Sequence, residues 1–172
     1  KLCPRDVWPK LQLVACWLGG SVGFQASRLP EYYGNVPVRD IGYIASEAHV
    51  SLPIEDGTPA GILAIQTNYY EFIPEEAHGS PHPPVVFAHE TEAGKRYAIL
   101  LTTCAGLYRY DINDIVEVTG FHYRTPLVAF IRKGGEMANI TGEKMHANHF
   151  LSAIEEVRRH LAIRITQFRA VS

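Results

Sequence analysis

The sequence predicts an α/β (α+β) protein: a β–α–β unit, then an antiparallel meander or small β-barrel, then the start of a small α+β domain. Three observations lead to this prediction. Residues 9–45 alternate apolar strand-like runs with one short helical pattern. Between residues 61 and 132, short runs of aromatic and β-branched residues recur between turn residues. After the glycine pair at 134–135, the apolar spacing becomes that of a helix.

The predicted β–α–β unit begins with an apolar run over residues 9–18 (PKLQLVACWL). This run ends in a glycine turn, Gly19-Gly20-Ser21, as a buried strand would. Residues 24–33 have the spacing of a short helix, which Gly34 stops. A second strand is expected over residues 36–45, with Ser46 and Glu47 closing it.

The β-rich region is expected to contain short strands that pair in a meander or close into a small barrel. The strand patterns cover residues 61–67, 69–73, 85–89, 96–103, 107–110, 115–119 and 127–132.

Residues 106–121 (GLYRYDINDIVEVTGF) predict a hairpin, because strand-forming residues flank the polar stretch 111–114. Within that stretch, Asn113 stands where a turn needs a positive φ, which Asn tolerates better than most residues.

The last part of the chain predicts a second α+β unit. Lys133-Gly134-Gly135 is a candidate hinge, and apolar residues at 150, 151, 154, 157 and 161 form a helical stripe that we expect to pack as core. A further strand is expected over residues 163–171. Because the pattern stops there and the chain begins without Met, we expect a piece of a longer protein.

Composition excludes several classes of function. The formal net charge of −2 and the lack of a basic tract argue against a nucleic-acid partner. No apolar run reaches membrane-spanning length, and no signal peptide is visible. The three cysteines are far apart, and Cys16 and Cys104 lie in apolar runs, so we expect reduced core thiols and a cytoplasmic location. The histidines match no metal motif.

Polar residues beside small ones collect at predicted strand ends, where ligand sites of α/β proteins often form. A nucleoside triphosphate would need backbone near its base, a carboxylate for Mg²⁺, a carboxylate for the ribose and cations for the phosphates. The candidates are Gly19, Gly20, Ser21, Ser46, Glu47, Arg109, Asp114 and Arg132.

Three segments carry a family resemblance. Residues 42–47 (GYIASE) resemble the Tyr-to-Ser/Thr-Glu motif of the adenylate-forming superfamily, and residues 106–121 resemble its YRxGD motif. Residues 69–74 (YYEFIP), between them, resemble a run of the acyl-acid amido synthetases, which include the auxin- and jasmonate-conjugating enzymes and bacterial relatives. The resemblance extends from about residue 11 to the end of the chain.

The resemblance implies a two-step ligase. A small carboxylic acid and ATP, with Mg²⁺, would give an acyl-adenylate, and the amine of an amino acid would then displace AMP to form an amide. Residues 1–132 would be the C-terminal part of the large ATP-binding domain, 133–136 a hinge, and 137–172 the start of a truncated C-terminal cap domain.

The resemblance also implies roles for individual residues. Gly19, Gly20 and Ser21 would line the adenine. Tyr43 would stack on that base, Ser46 would approach the α-phosphate, and Glu47 would hold Mg²⁺ as a catalytic residue. Asp114 would accept hydrogen bonds from the ribose, Arg109 would position the adenylate or its turn, and Arg132 would act as a second catalytic residue near the ribose and phosphate.

The sequence departs from the family at two places. Asn113 replaces the glycine that precedes the motif Asp, and the phosphate-binding loop rich in Ser, Thr and Gly is absent. We therefore expect this chain alone not to adenylate an acid. Two alternatives stay open: a thioester-forming acyl-CoA ligase of the same superfamily, and a non-catalytic β-rich binding module.

Overall fold

The computed structural model describes residues 2–134, 137–140 and 143–163. The contacts within the chain divide it into two compact units, Lys1–Gly134 and Gly135–Ser172. The boundary falls inside the predicted hinge, and rotation about that hinge stays a prediction.

The β–α–β unit is confirmed, although its strands are much shorter than expected. Strand β1 (Val14–Ala15) pairs in parallel with β2 (Val38–Arg39). Helices α2 (Val22–Ala26) and α3 (Leu29–Tyr33) connect them, and α1 (Pro4–Val7) precedes β1. The predicted helix over 24–33 is thus two short helices, and α3 ends at Gly34 with a φ of 74°.

The main sheet has seven antiparallel strands in the order β3-β4-β9-β8-β7-β5-β6. The strands are β3 (Ser51–Pro53), β4 (Gly61–Leu63), β5 (Asn68–Pro74), β6 (Val86–Phe87), β7 (Arg96–Thr103), β8 (Tyr110–His122) and β9 (Thr125–Lys133). Two 3₁₀ helices, Glu75–Ala77 and Ala88–Glu90, flank β6.

The small-barrel alternative is wrong, because the sheet is open. Within the described residues, no hydrogen-bonded ladder joins the edge strands β3 and β6. Both edges are short, at three and two residues, and β3 ends in a proline, which has no N–H to donate to another strand.

The sheet buries side chains on both faces. On the inner face, Phe72, Ile99 and Val116 belong to the larger apolar cluster, which also includes Tyr43 from the loop after β2. On the outer face, Ala98 and its neighbours form a smaller cluster. Four consecutive residues of β5 and five of β7 are buried, because alternate side chains point to the two clusters on opposite faces.

The hairpin predicted over residues 106–121 is wrong, because residues 110–122 form the single continuous strand β8. The chain reverses direction before β8, in a turn where Thr103 N donates to Leu107 O and Gly106 N donates to Thr103 O. The positive φ expected at Asn113 is confirmed at 57°, but it belongs to a bulge inside a strand and not to a turn.

The second unit contains a two-stranded antiparallel ribbon and one helix. Strands β10 (Met137–Ile140) and β11 (Glu143–His146) precede α4 (Ala147–Leu161), which confirms the predicted helix. The apolar stripe of α4 was expected to be core, but Val157 and Leu161 are 46% and 64% exposed. The strand predicted over 163–171 lies outside the described residues apart from Ile163.

Two expectations from composition can be compared with the structure. All three cysteines are free thiols, but Cys104 is exposed in the turn after β7, so its placement in the core is wrong. None of the described helices combines the length and apolar character needed to cross a membrane.

Candidate functional site

A cavity of about 440 Å³ lies between the inner face of the sheet and the loops of the β–α–β unit. This volume is within the range typical of small-molecule sites. Six of the predicted site residues line it: Gly19, Ser21, Tyr43, Ser46, Glu47 and Asp114. The remaining lining residues are Trp17, Val22, Asp40, Gly42, Ile44, Ala45, Pro59, Phe130 and Lys133.

Asp114 is the charged centre of this cavity, and its side chain is only 3% exposed. The Tyr43 hydroxyl donates to Asp114 Oδ2 at 2.5 Å, and Lys133 Nζ lies 2.5 Å from Oδ1. Burial, together with the negative charge of Asp114, raises the pKa of Tyr43, so that this phenol remains a hydrogen-bond donor at neutral pH. The pair thus holds the carboxylate in one orientation.

Asp114 lies on the inner face of β8, beside an irregularity in the pairing of β8 with β7. Leu100 of β7 lies opposite Asp111, and Ala98 lies opposite Ile115, so residues 112–114 face Ile99 alone. Two extra residues leave the alternation of faces unchanged, so Ile112, Asp114 and Val116 all point to the inner face, and Asn113 between them adopts a positive φ. Asn113 therefore adopts a positive φ, which the glycine of the family motif would also accept at this position.

A second bulge distinguishes Lys133 from Arg132. On β9, Phe130 lies opposite Val116 and Arg132 lies opposite Ile115, so Ile131 is the extra residue. Since Ile115 belongs to the outer cluster, Arg132 points to the outer face and Lys133 returns to the cavity. Without the bulge, alternation from Phe130 on the inner face would have pointed Arg132 into the cavity and Lys133 to the outer face.

The two predicted arginines lie outside the cavity. On the outer face, Arg132 pairs with Glu75 and also donates to the carbonyl of Lys133 at 2.9 Å. Arg109, with a φ of 47°, donates to Glu71 at 2.9 Å in a separate recess. Gly20 does not line the cavity either. The roles that the resemblance implies for these three residues stay predictions.

The glycine turn after β1 is held against β9. Gly20 N donates to Phe130 O at 3.1 Å, and a Cβ on Gly19 would lie 2.9 Å from that same oxygen. A side chain there would force the backbones apart, which explains the glycine. Phe130 in turn packs against the Tyr43 ring, with centroids 5.4 Å apart. The Tyr43 ring, which lines the cavity, is therefore held in place by its packing against Phe130.

Asp40, which the sequence reasoning missed, organises the loop that carries residues 42–47. Its carboxylate accepts hydrogen bonds from Leu18 N at 2.6 Å and Gly42 N at 2.7 Å. Gly42 has a φ of 95°, and a Cβ there would lie 2.5 Å from Ser51 O. The Asp-x-Gly spacing is a local signal for such a turn.

Glu47 is the lining carboxylate suited to a metal. Within the described part of the chain, it makes no hydrogen bond or ion pair, and no group of three or more His, Cys, Asp or Glu side chains could hold a metal by itself. Mg²⁺ is commonly bound by one or two carboxylates together with substrate phosphates. Glu47 fits that mode, whereas Asp114 is already paired.

Comparison with known proteins agrees with the resemblance. Residues 61–133 match the GH3 family central domain. An indole-3-acetic acid-amido synthetase of Arabidopsis thaliana is 28% identical over 91% of this chain and 27% of its own length. A jasmonoyl–L-amino acid synthetase of Oryza sativa subsp. japonica is 31% identical over 90% and 29%. The chain thus spans less than a third of these relatives.

Solved structures agree on the fold. An acyl acid amido synthetase, GH3.15, superposes with a TM-score of 0.77 at 22% identity, covering 92% of this chain and 28% of the other. The same enzyme in complex with 2,4-DB gives a TM-score of 0.80 at 23% identity, covering 92% and 27%. Residues 61–133 thus match the GH3 family central domain, and the chain is similar to acyl acid amido synthetases over part of their length.

Proposed function

We propose that this chain provides the nucleotide-binding part of an acid–amino acid ligase. The complete enzyme would use ATP to activate a small carboxylic acid as its adenylate and transfer the acyl group to an amino-acid amine. The names of the relatives support this class of reaction, since one is an indole-3-acetic acid-amido synthetase and another is a jasmonoyl–L-amino acid synthetase.

The observation that carries the proposal is the hydrogen bond between Tyr43 and Asp114. It joins the two motif segments, 71 residues apart in sequence, at the wall of one cavity. Glu47, from the first segment, lines the same cavity. Two motifs that merely resembled a family by chance would have no reason to converge at one site.

In this proposal, each residue has a distinct task. Asp114 accepts hydrogen bonds from the ribose hydroxyls, and Tyr43 keeps that carboxylate oriented. Glu47 holds Mg²⁺, which supplies positive charge to the phosphates, and Ser46 lies beside them. The backbone of Gly19 and Ser21 borders the base. Catalysis then consists of positioning and charge neutralisation, without a covalent enzyme nucleophile.

A binding experiment tests the nucleotide site in this chain. Isothermal titration calorimetry with AMP compares the wild type with Asp114→Asn and with Glu117→Gln, a carboxylate of the same strand that pairs with Arg96 away from the cavity. Loss of a charge-assisted acceptor should weaken AMP at least about tenfold in Asp114→Asn, and Glu117→Gln should change it less than about twofold. Equal effects in both variants would contradict the site.

A reaction experiment tests the activity. ATP–pyrophosphate exchange is measured with a panel of carboxylic acids for this chain and for a protein that contains it together with the remainder of a GH3-length sequence. Exchange is expected only in the longer protein. Product analysis with amino acids and with coenzyme A then separates amide from thioester formation, and a longer protein that binds AMP without exchange would favour the non-catalytic module.

A further inference from the structure

Asp114 is enclosed by two groups of different mobility. Tyr43 belongs to the core, where it is 7% exposed and packs against Phe130. Lys133 is 51% exposed, and its ammonium group also donates to Ile112 O at 3.2 Å. Because the Asp114 side chain is 3% exposed, a ligand group that reaches it must displace a neighbouring group. Lys133 can move without disturbing the core.

Lys133 is also the cation that can offset the negative charges lining the cavity. Among the described lining residues, the carboxylates are Asp40, Glu47 and Asp114, and Lys133 is the sole lysine or arginine. Asp40 is already satisfied by two backbone N–H groups. A ligand that brings a negative group into this cavity therefore meets an excess of carboxylates, and Lys133 is the protein cation within reach that can offset it.

We propose that Lys133 is an exchangeable cation: ligand hydroxyls replace it at Asp114 Oδ1, and its ammonium then pairs with the anionic group of the same ligand. The exchange leaves neither group without a partner, because the Asp114 carboxylate gains hydroxyl donors as the Lys133 ammonium gains a phosphate or carboxylate. The ligand class is one that combines adjacent hydroxyls with a negative group, as a nucleotide does. The inference rests on the proposed function.

The exchange predicts that Lys133 distinguishes a nucleotide from its nucleoside. We compare adenosine and AMP by calorimetry for wild type, Lys133→Gln and Lys95→Gln. Lys95 is a matched control, since it is 58% exposed and pairs with Glu92 at 2.7 Å away from the cavity. In Lys133→Gln, the ratio of the adenosine Kd to the AMP Kd should fall about tenfold, because the charge-assisted contact to phosphate is lost. Lys95→Gln should leave the ratio unchanged. A Lys133→Gln variant that weakens adenosine and AMP by the same factor overturns the inference.

A second measurement uses the wild type, so it does not depend on the folding of a variant. Acetylation rates of individual lysines are followed by mass spectrometry with saturating adenosine or saturating AMP. Lys133 should react several-fold more slowly with AMP than with adenosine, because phosphate holds its ammonium, whereas Lys95 should react equally in both. Equal rates for Lys133 in both complexes would contradict the exchange.

The outcomes separate this inference from the proposed function. If the wild type binds neither adenosine nor AMP, the nucleotide site fails and the exchange fails with it. If it binds both, and Lys133 distinguishes them in neither measurement, only the exchange fails and Lys133 is simply a counter-ion that fixes Asp114.

Discussion

Two consecutive residues of β9 form ion pairs on opposite faces of the same sheet. Lys133 pairs with Asp114 on the inner face, beside the cavity, and Arg132 pairs with Glu75 on the outer face. Arg132 is buried, and its guanidinium also donates to the carbonyl of Lys133. Lys133, in contrast, is half exposed and borders a space where a ligand can fit. The Arg132–Glu75 pair supports the backbone, and the Lys133–Asp114 pair is placed for chemistry.

The comparison teaches that position in a motif does not decide which face a side chain occupies. Alternation along a strand is reliable only while the register is regular, and one extra residue reverses it. The bulge at Ile131 brings Lys133 to the cavity and sends Arg132 to the outer face, whereas Asp114 keeps the regular alternation of β8. Four predictions examine this contrast, from the largest expected effect to the smallest.

Arg132→Met should lower the free energy of unfolding by about 3 kcal/mol, because it leaves Glu75 without its partner in a largely buried pair. Arg96→Met is the control, since its pair with Glu117 is more exposed and should contribute at most about 1 kcal/mol. Urea denaturation measures both. The AMP affinity of the folded Arg132→Met protein should stay within about twofold of the wild type.

A large loss of AMP affinity in Arg132→Met, at unchanged stability, would contradict the structural role that we assign to the Arg132–Glu75 pair. Arg132 would then have the role near the ribose and phosphate that the family resemblance implies, and its pairing with Glu75 would have to break when the nucleotide binds.

Tyr43→Phe should lower stability by about 1–2 kcal/mol, because it removes a donor from the buried carboxylate of Asp114. Tyr70→Phe is the matched control. Its hydroxyl also lies in the protein, but it donates to His49 O at the longer distance of 3.4 Å, so a loss of about 0.5 kcal/mol is expected. Equal losses in the two variants would mean that the hydrogen bond to Asp114 contributes no more stability than the hydrogen bond of Tyr70.

The same variants predict a difference at alkaline pH. Burial and Asp114 raise the folded-state pKa of Tyr43, so the folded protein keeps this proton above pH 10 while the unfolded chain releases it. The wild type should therefore lose up to about 1.4 kcal/mol per pH unit above pH 10 from this group. Tyr43→Phe should lack that slope in urea denaturation at several pH values, and a slope equal to that of the wild type would contradict the assignment.

Gly134→Ala should cost about 1 kcal/mol, because a Cβ there would lie 2.2 Å from Asn113 Oδ1. Asn113→Gly removes that oxygen and keeps a residue that accepts the positive φ of the bulge. The double variant should therefore be more stable than the sum of the single changes implies, by about 1 kcal/mol in a double-mutant cycle. An additive result would show that the glycine is not required by this close approach.

The sequence predicted a large part of the candidate site. Tyr43, Glu47 and Asp114 stand in recognisable segments, and all three line the cavity. Lys133 and Asp40 were missed for different reasons. Lys133 was assigned only to the hinge, because nothing local reveals the bulge at Ile131. Asp40 has a local signal, the Asp-x-Gly turn, but it stands outside the three segments that carry the family resemblance.

By itself, the sequence determined the class of fold, the long strand β7, the helix α4 and the family, because apolar periodicity and short motifs are local properties of the chain. Only the tertiary structure decided that residues 110–122 form one strand, that the sheet stays open, and which charged residues face the cavity. These outcomes depend on pairing with β7 and β9 on both sides of β8. The extra residue of a bulge is defined only against a partner strand, and a single sequence does not contain that register.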